Sequence, residues 1–265
     1  MNRTVRLGDA SMKVTWYGTA SLCVQAGQGR LLVDPFVPLR GSGTRVNPSA
    51  YEGFEAVLVT HGHFDHIMSL PALIRDGRPQ IYCTRTPAQT LQKLGVPRER
   101  ISVFVPGDAL ELEGVKVSVY RSRHVRYDGP VLRRTLLNVR MLRHAYNLPR
   151  VVEGLLRYPE RGETVAFLIE GEAKRVMVLG SLNLAGDVDY PSGADLLVLP
   201  YQGRSDLLTP ALEIIERLRP RAVLLDHFDD AFPPISAGID TSDIVRALAG
   251  ALPVYCLEPG GSLEI

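Results

Sequence analysis

Residues 60–66 read THGHFDH, and His61, His63, Asp65 and His66 within them all carry side chains that ligate metal ions. Half of the chain's six histidines fall in this one stretch. Imidazole nitrogen and carboxylate oxygen together suit zinc, and also manganese or iron. The residues before the motif, GFEAVLVT at 53–60, form a nearly continuous apolar run, the pattern of a strand buried on both faces. Residues two apart on an extended backbone point the same way, so His61 and His63 can close on one ion. Asp65 and His66 follow as the chain turns toward a helix and can serve a second. Gly62 is expected to free the loop backbone for a conformation that a side chain would resist. The alternative is a polar loop with structural histidines.

Outward from this point the pattern is α/β. MKVTWYG, SLCVQAG and LLVDPF precede the motif as a strand meander. After it, MSLPALIRDG reads as a helix closed by Gly77, QIYCT as a strand, and TPAQTLQKLG as a helix capped by Thr86 with Pro87 in its first turn. ISVFV, DALEL and VKVSVYRS are further strands. Beyond residue 161, ETVAFLIEG, RVMVLG, DLLVLP and AVLLDH are strands interleaved with the helices LLTPALEIIERLR and TSDIVRALAG, and LPVYCLEPG and GSLEI close the chain. No Pro- or Gly-rich linker divides it, so residues 1–265 are expected to form one domain of layered sheets with helices outside.

The net charge of +1 gives no global field to draw nucleic acid. Cys23, Cys83 and Cys256 are odd in number and show no CxxC spacing, which argues against disulfides and a cysteine zinc site. With no apolar leader at the N-terminus, the expectation is a cytoplasmic protein. There is no GxSxG elbow and no GxxxxGK[ST] loop, so covalent serine and nucleotide-loop chemistry have no support.

The motif THGHFDH resembles the T-H-x-H-x-D-H signature of the metallo-β-lactamase fold superfamily. The opening VTWYGTASLCVQAGQGRLLVDPF is similar to the first strands of its lactonase-like and phospholipase-D-like branch. The resemblance implies a four-layer αββα sandwich. It implies that His61, His63 and His124 hold one ion, that Asp65, His66 and His227 hold a second, and that Asp34 accepts an N–H from a ligand histidine. Zinc is the ion expected, one or two per chain, with manganese or iron as alternatives. Asp65 is also expected to act in catalysis, orienting the attacking water or taking its proton. An exported β-lactamase is not expected.

The sequence departs from the family at one position. Where the family places a bridging aspartate after Gly180, this chain has Ser181. Ser181 is a candidate metal-bridging position, with Asp187 as a distant substitute. A neutral hydroxyl leaves two dications less compensated, so the second ion is expected to bind weakly.

Residues 121–161 hold ten arginines against Asp128, Glu153 and Glu160, a local +7 in a chain of net +1. Residues 125–161 read as a basic helical insertion beside the metal mouth. The spacing predicts a helix over 131–146, with Leu132, Leu136 and Val139 on one face and Arg133, Arg134, Arg140 and Arg143 on the rest. Three readings stay open: an amphipathic helix packed on the domain, a lid whose Arg133 and Arg134 bind an anionic substrate, or a basic face attached to a membrane surface.

A metal-bound hydroxide at neutral pH attacks carbonyl carbon or phosphorus. The expected function is hydrolysis of an ester-type bond, preferably a phosphodiester or another small anionic substrate. The alternatives are a lactone hydrolase and a non-catalytic metal-binding scaffold of the same fold. Self-association is not legible in the sequence.

Overall fold

Apolar residues at every second position build the centre of the molecule. The computed structural model describes residues 11–74 and 79–265. Strands β1 (Met12–Gly18), β2 (Ser21–Ala26), β3 (Gly29–Val33), β4 (Ala56–Leu58), β5 (Gln80–Cys83) and β6 (Ile101–Val103) run in that order across one sheet, with β14 (Ser262–Glu264) outside β1. The second sheet has the order β13 (Val254–Tyr255), β12 (Val223–Asp226), β11 (Leu196–Pro200), β10 (Lys174–Leu179), β9 (Val165–Gly171), β8 (Val115–Arg121), β7 (Ala109–Leu112). Between the sheets Met12, Val14 and Trp16 meet Val117, Val165, Phe167, Val176 and Val198, all buried. The opposite faces of the second sheet's strands carry Ala166, Leu168, Met177, Leu197 and Leu199, buried beneath α7 (Leu208–Leu218) and α8 (Ser242–Ala247). Leu32, Val57, Val59 and Ile81 of the first sheet pack outward on α1 (Phe64–Ile67), α2 (Leu70–Leu73) and α3 (Arg85–Lys93). This is a four-layer αββα sandwich.

The first three strands pair antiparallel, as a meander should, and β3, β4, β5 and β6 are then parallel. Helix α3 starts earlier than expected, with Thr84 in the extended N-cap position, because the Thr86 N–H and hydroxyl both donate to the Glu163 carboxylate, at 2.7 Å each. The expected stop at Gly77 lies outside the described residues. Among the described residues no helix is long and apolar enough to cross a membrane.

The segment between β8 and β9 is helical, but it is not one helix over 131–146. It forms α4 (Gly129–Leu136), α5 (Arg140–Arg143) and α6 (Leu148–Arg157). The break follows from Asn138, whose side-chain oxygen accepts from the Arg140 N–H at 2.9 Å and starts a new helix. The expected stripe also fails to pack inward: its Leu132 and Val139 are exposed, as is Leu137 close by. What holds the segment down lies further along, where Val151 and Gly154 of α6 are buried. A Cβ on Gly154 would stand 2.7 Å from Phe64 Cγ, so α6 lies directly on the metal-motif helix α1.

Candidate metal centre

One rim of the sandwich collects the site. β8 and β10 are both antiparallel to β9, so β8 runs the same way as β10, β11 and β12. The chain leaves the C-terminal ends of these strands, and of parallel β3 and β4, into the loops that carry Asp34, His61, His63, His124, Ser181 and His227. Such strand ends are where open α/β sheets expose their ligand sites. Gly62 is needed for a reason other than backbone freedom: it has no positive φ, and a Cβ there would stand 2.5 Å from the Pro159 carbonyl oxygen.

All six predicted ligands come together, in two groups. The ligating atoms of His61, His63 and His124 lie within 4.8 Å of one another, and so do those of Asp65, His66 and His227. His61 Nε2 is 3.1 Å from His63 Nδ1. Asp65 Oδ2 is 3.7 Å from His66 Nε2 and 3.5 Å from His227 Nε2, and those two nitrogens are 3.5 Å apart. Nitrogens bound to one tetrahedral zinc would stand about 3.3 Å apart.

Behind the rings a polar chain fixes which nitrogen faces forward. Asp34, buried at the end of β3, accepts from the Thr60 N–H at 2.9 Å, from the Thr60 hydroxyl at 2.5 Å and from His66 Nδ1 at 2.8 Å. The Thr60 oxygen, its proton given to Asp34, accepts from His61 Nδ1 at 3.1 Å. His124 Nδ1 donates to the Val125 carbonyl at 2.7 Å. His61, His66 and His124 therefore all present a bare Nε2 to the cleft. Bare lone pairs aimed at one another at these separations repel unless a cation or a proton lies between them.

The environment withholds the proton from most of these rings. Burial, then the like charge of His66, His63, His124 and His227, holds His61 well below the usual histidine range. Burial, then His124 and His66, brings His63 down to about 3. Burial also lowers His124 and His227. For His66 burial works the same way, but Asp34 and Asp65 outweigh it and the pKa is raised. Burial raises Asp65 against the pull of His66. Converging imidazoles, four of the five with lowered pKa, beside a carboxyl group are the donor set that a divalent transition metal requires, so these residues fit such an ion.

Three backbone positions around the site lie in the left-handed region without being glycine: Thr19 at φ 52°, Asp34 at φ 44° and His227 at φ 62°. The His227 N–H and the Trp16 indole N–H both donate to the Thr19 carbonyl, at 2.9 Å, which ties two of these segments together.

Ser181 lines the cleft beside the histidines. Its oxygen accepts from the Val125 N–H at 2.9 Å and so helps hold the loop that carries His124. Asp187 does not reach back; it is exposed and pairs with Arg121. Arg133 and Arg134 are not brought to the centre either. They are exposed on α4 and line a separate groove of about 790 Å³ with Leu137, Asn138 and Val139. The polar side chains that share the cleft and that the sequence did not single out are Tyr127 and Gln202. Gln202 Nε2 lies 3.5 Å from His227 Nε2, and the Tyr127 ring centre lies 5.9 Å from that of His124. Asp226, before His227, is a buried carboxyl raised well above its usual range by burial, and then by Asp34 and Asp229. Periodicity marked Asp226 only as the end of an apolar strand.

Fold and site together define a protein of the metallo-β-lactamase type, and comparison agrees. Residues 29–228 match the model of the beta-lactamase superfamily domain, and the chain belongs to that superfamily. A UPF0173 metal-dependent hydrolase of Methanocaldococcus jannaschii is 27% identical over 265 residues, covering 95% of this chain and 100% of the relative. Among solved structures, the metallo hydrolase Igni18 of Ignicoccus hospitalis has a TM-score of 0.64 at 18% identity, covering 96% of this chain and 98% of its own. CmlA, a diiron beta-hydroxylase of Streptomyces venezuelae, has a TM-score of 0.61 at 14% identity, covering 98% of this chain and 55% of its own. One fold thus carries both hydrolytic and iron-oxygen chemistry, and the fold does not select between them.

Proposed function

We propose that the chain is a metal-dependent hydrolase that holds one or two divalent ions among His61, His63, His124, Asp65, His66 and His227, and that it cleaves an ester-type bond, preferably a phosphodiester or another anionic substrate. Membership of the superfamily and the names of its relatives support the first part. An ion held there would supply Lewis acidity and ionise water near neutral pH. Zinc is the ion we favour, and the same donors accept manganese or iron.

The observation that carries the substrate preference is the charge of the donor set. Two carboxylates, Asp65 and Asp34, touch the histidines. The third, expected after β10, is Ser181, whose oxygen is already engaged. Two dications would leave this cleft net positive, which favours an anion between them. Around the reacting group His61, His66 and His124 keep a fixed tautomer through Thr60, Asp34 and the Val125 carbonyl. Asp65, 3.5 Å from His227 Nε2, is our candidate for orienting the attacking water or taking its proton. Tyr127 and Gln202 offer donors at the mouth.

The test is hydrolysis of bis-p-nitrophenyl phosphate and of a simple lactone by zinc-, manganese- and iron-loaded protein, with ion content measured in parallel. Phosphodiester turnover that exceeds lactone turnover and is lost in His63→Ala is the expected result. Faster lactone cleavage would reverse the substrate assignment. No turnover on either, with ions bound, would favour the scaffold.

A further inference from the structure

The helical segment after β8 leaves most of its apolar side chains in water. Of the large hydrophobic residues exposed among the described residues, nine fall within 127–156 and three elsewhere. Leu137 is 75% exposed, Leu142 82% and Leu156 78%. These are not the leftovers of a loose segment. Asn147 Nδ2 donates to the Arg40 and Pro233 carbonyls at 2.8 Å each, Arg140 pairs with Asp230 at 2.5 Å, and Gly154 lies on Phe64. One side of the insertion is docked firmly, and its leucines remain outside. Exposed apolar surface concentrated in this way marks an interaction site.

Charge selects the partner. Residues 127–157 carry six arginines against Asp128 and Glu153. Arg140, Arg150 and Arg157 pair with carboxylates, whereas Arg133, Arg134 and Arg143 have no ion-pair partner among the described residues. Arg133, Arg134, Leu137 and Val139 line one groove, so cationic and apolar groups meet in the same depression. A second copy meeting this face through its own would set arginine against arginine. An anionic bilayer offers both things the face lacks: headgroup phosphates for the guanidinium forks and acyl chains for the leucines.

We propose that the insertion seats this protein on an anionic lipid surface, with Leu137, Leu142 and Leu156 entering the interface and Arg133, Arg134 and Arg143 meeting the headgroups. The insertion leaves and returns beside the metal motif: the Ser122 N–H donates to Thr164 at 2.8 Å and the Val165 N–H to Thr60 at 3.0 Å.

The experiment is sedimentation of the full chain with vesicles of phosphatidylcholine alone and of phosphatidylcholine with phosphatidylglycerol, at low and high salt. The expected result is binding at least about tenfold tighter to the anionic vesicles and weakened by salt. Each arginine removed near the surface should cost about fivefold, so Arg133→Gln with Arg134→Gln should cost about twentyfold or more. Leu142→Glu with Leu156→Glu should abolish binding; both side chains are exposed, and a thermal melt checks that the fold persists. If that variant misfolds, the arginine pair and the salt series decide. Equal binding to both vesicles, or none, overturns the proposal. So does a dimer in light scattering that Leu142→Glu with Leu156→Glu dissolves, which would make this face a contact between copies. Binding is read without metal or turnover, so its failure leaves the hydrolase proposal standing.

Discussion

Replacing Asp34 with asparagine would test whether the chain behind the histidines sets the metal centre. The side chain is buried and accepts three hydrogen bonds, from the Thr60 N–H, the Thr60 hydroxyl and His66 Nδ1. Asparagine has nearly the same volume and tolerates the left-handed φ of 44° there, so backbone and packing stay constant. What changes is one oxygen, which becomes an NH2 facing two donors. The hydroxyl can turn away, but the imidazole can accept from that NH2 only by moving its proton to Nε2, which removes the lone pair aimed at the cleft. A hydrogen bond to a charged acceptor contributes about 1.5–3 kcal/mol, and that range is the expected loss of metal-free stability. Disturbing a partner of a ligating histidine weakens ion binding about 10- to 100-fold. Denaturant unfolding of the metal-free protein and chelator-competition titration with zinc read the two effects separately. Changes below about 0.5 kcal/mol in stability together with less than about threefold in affinity would refute the reasoning.

Three further outcomes follow from the same geometry. His63 titrates at about 3 in the folded protein, held down by burial and then by His124 and His66. The unfolded chain takes up that proton first, near pH 6.5, so metal-free stability should be complete above that pH and fall by at least about 1.4 kcal/mol per unit as pH drops toward 3, the lowered His61, His124 and His227 adding to the slope. Denaturant midpoints that stay flat from pH 7 to 4 would contradict this. Gly154→Ala places a Cβ 2.7 Å from Phe64 Cγ and should cost about 1–3 kcal/mol in thermal unfolding. Gly129→Ala, where no atom lies within 4 Å, should be neutral or slightly stabilising. Ser181→Asp keeps an acceptor for the Val125 N–H and adds the missing anion, so ion content after dialysis should rise, and an unchanged content would show that the hydroxyl was not the weak point.

The ligand cluster was legible because its chemistry is local. Three histidines and an aspartate crowd into six residues after an apolar strand, whereas His124 and His227, lone histidines at strand ends, were singled out only through the family resemblance. Strand and helix patterns made layered sheets legible, and the four-layer order came from the family resemblance; in strands such as β9 every residue is apolar, and only the structure assigns Phe167 and Leu168 to different layers. The insertion was misread where the sequence signal was ambiguous. A helical repeat of leucines does not say which way the stripe faces, and Asn138 reads equally well as a helix residue and as a cap. Arg133 and Arg134 follow His124 closely in sequence, but they line a different groove from the one that holds the histidines. Thr60 and Gln202 became visible only through contacts with Asp34 and His227, each about 25 residues away, which no spacing rule encodes.

The left-handed backbone at Thr19, Asp34 and His227 carries a further meaning. Each such residue costs the fold on the order of 1 kcal/mol or more that glycine would not. Thr19 also buries a hydroxyl with no hydrogen-bond partner among the described residues. The donors therefore stand in place before any ion arrives, and the scaffold bears their cost in advance. A screen for heat tolerance alone should find glycine welcome at Thr19, and the same logic at Asp34 or His227 would trade the ion site for a few degrees of melting temperature.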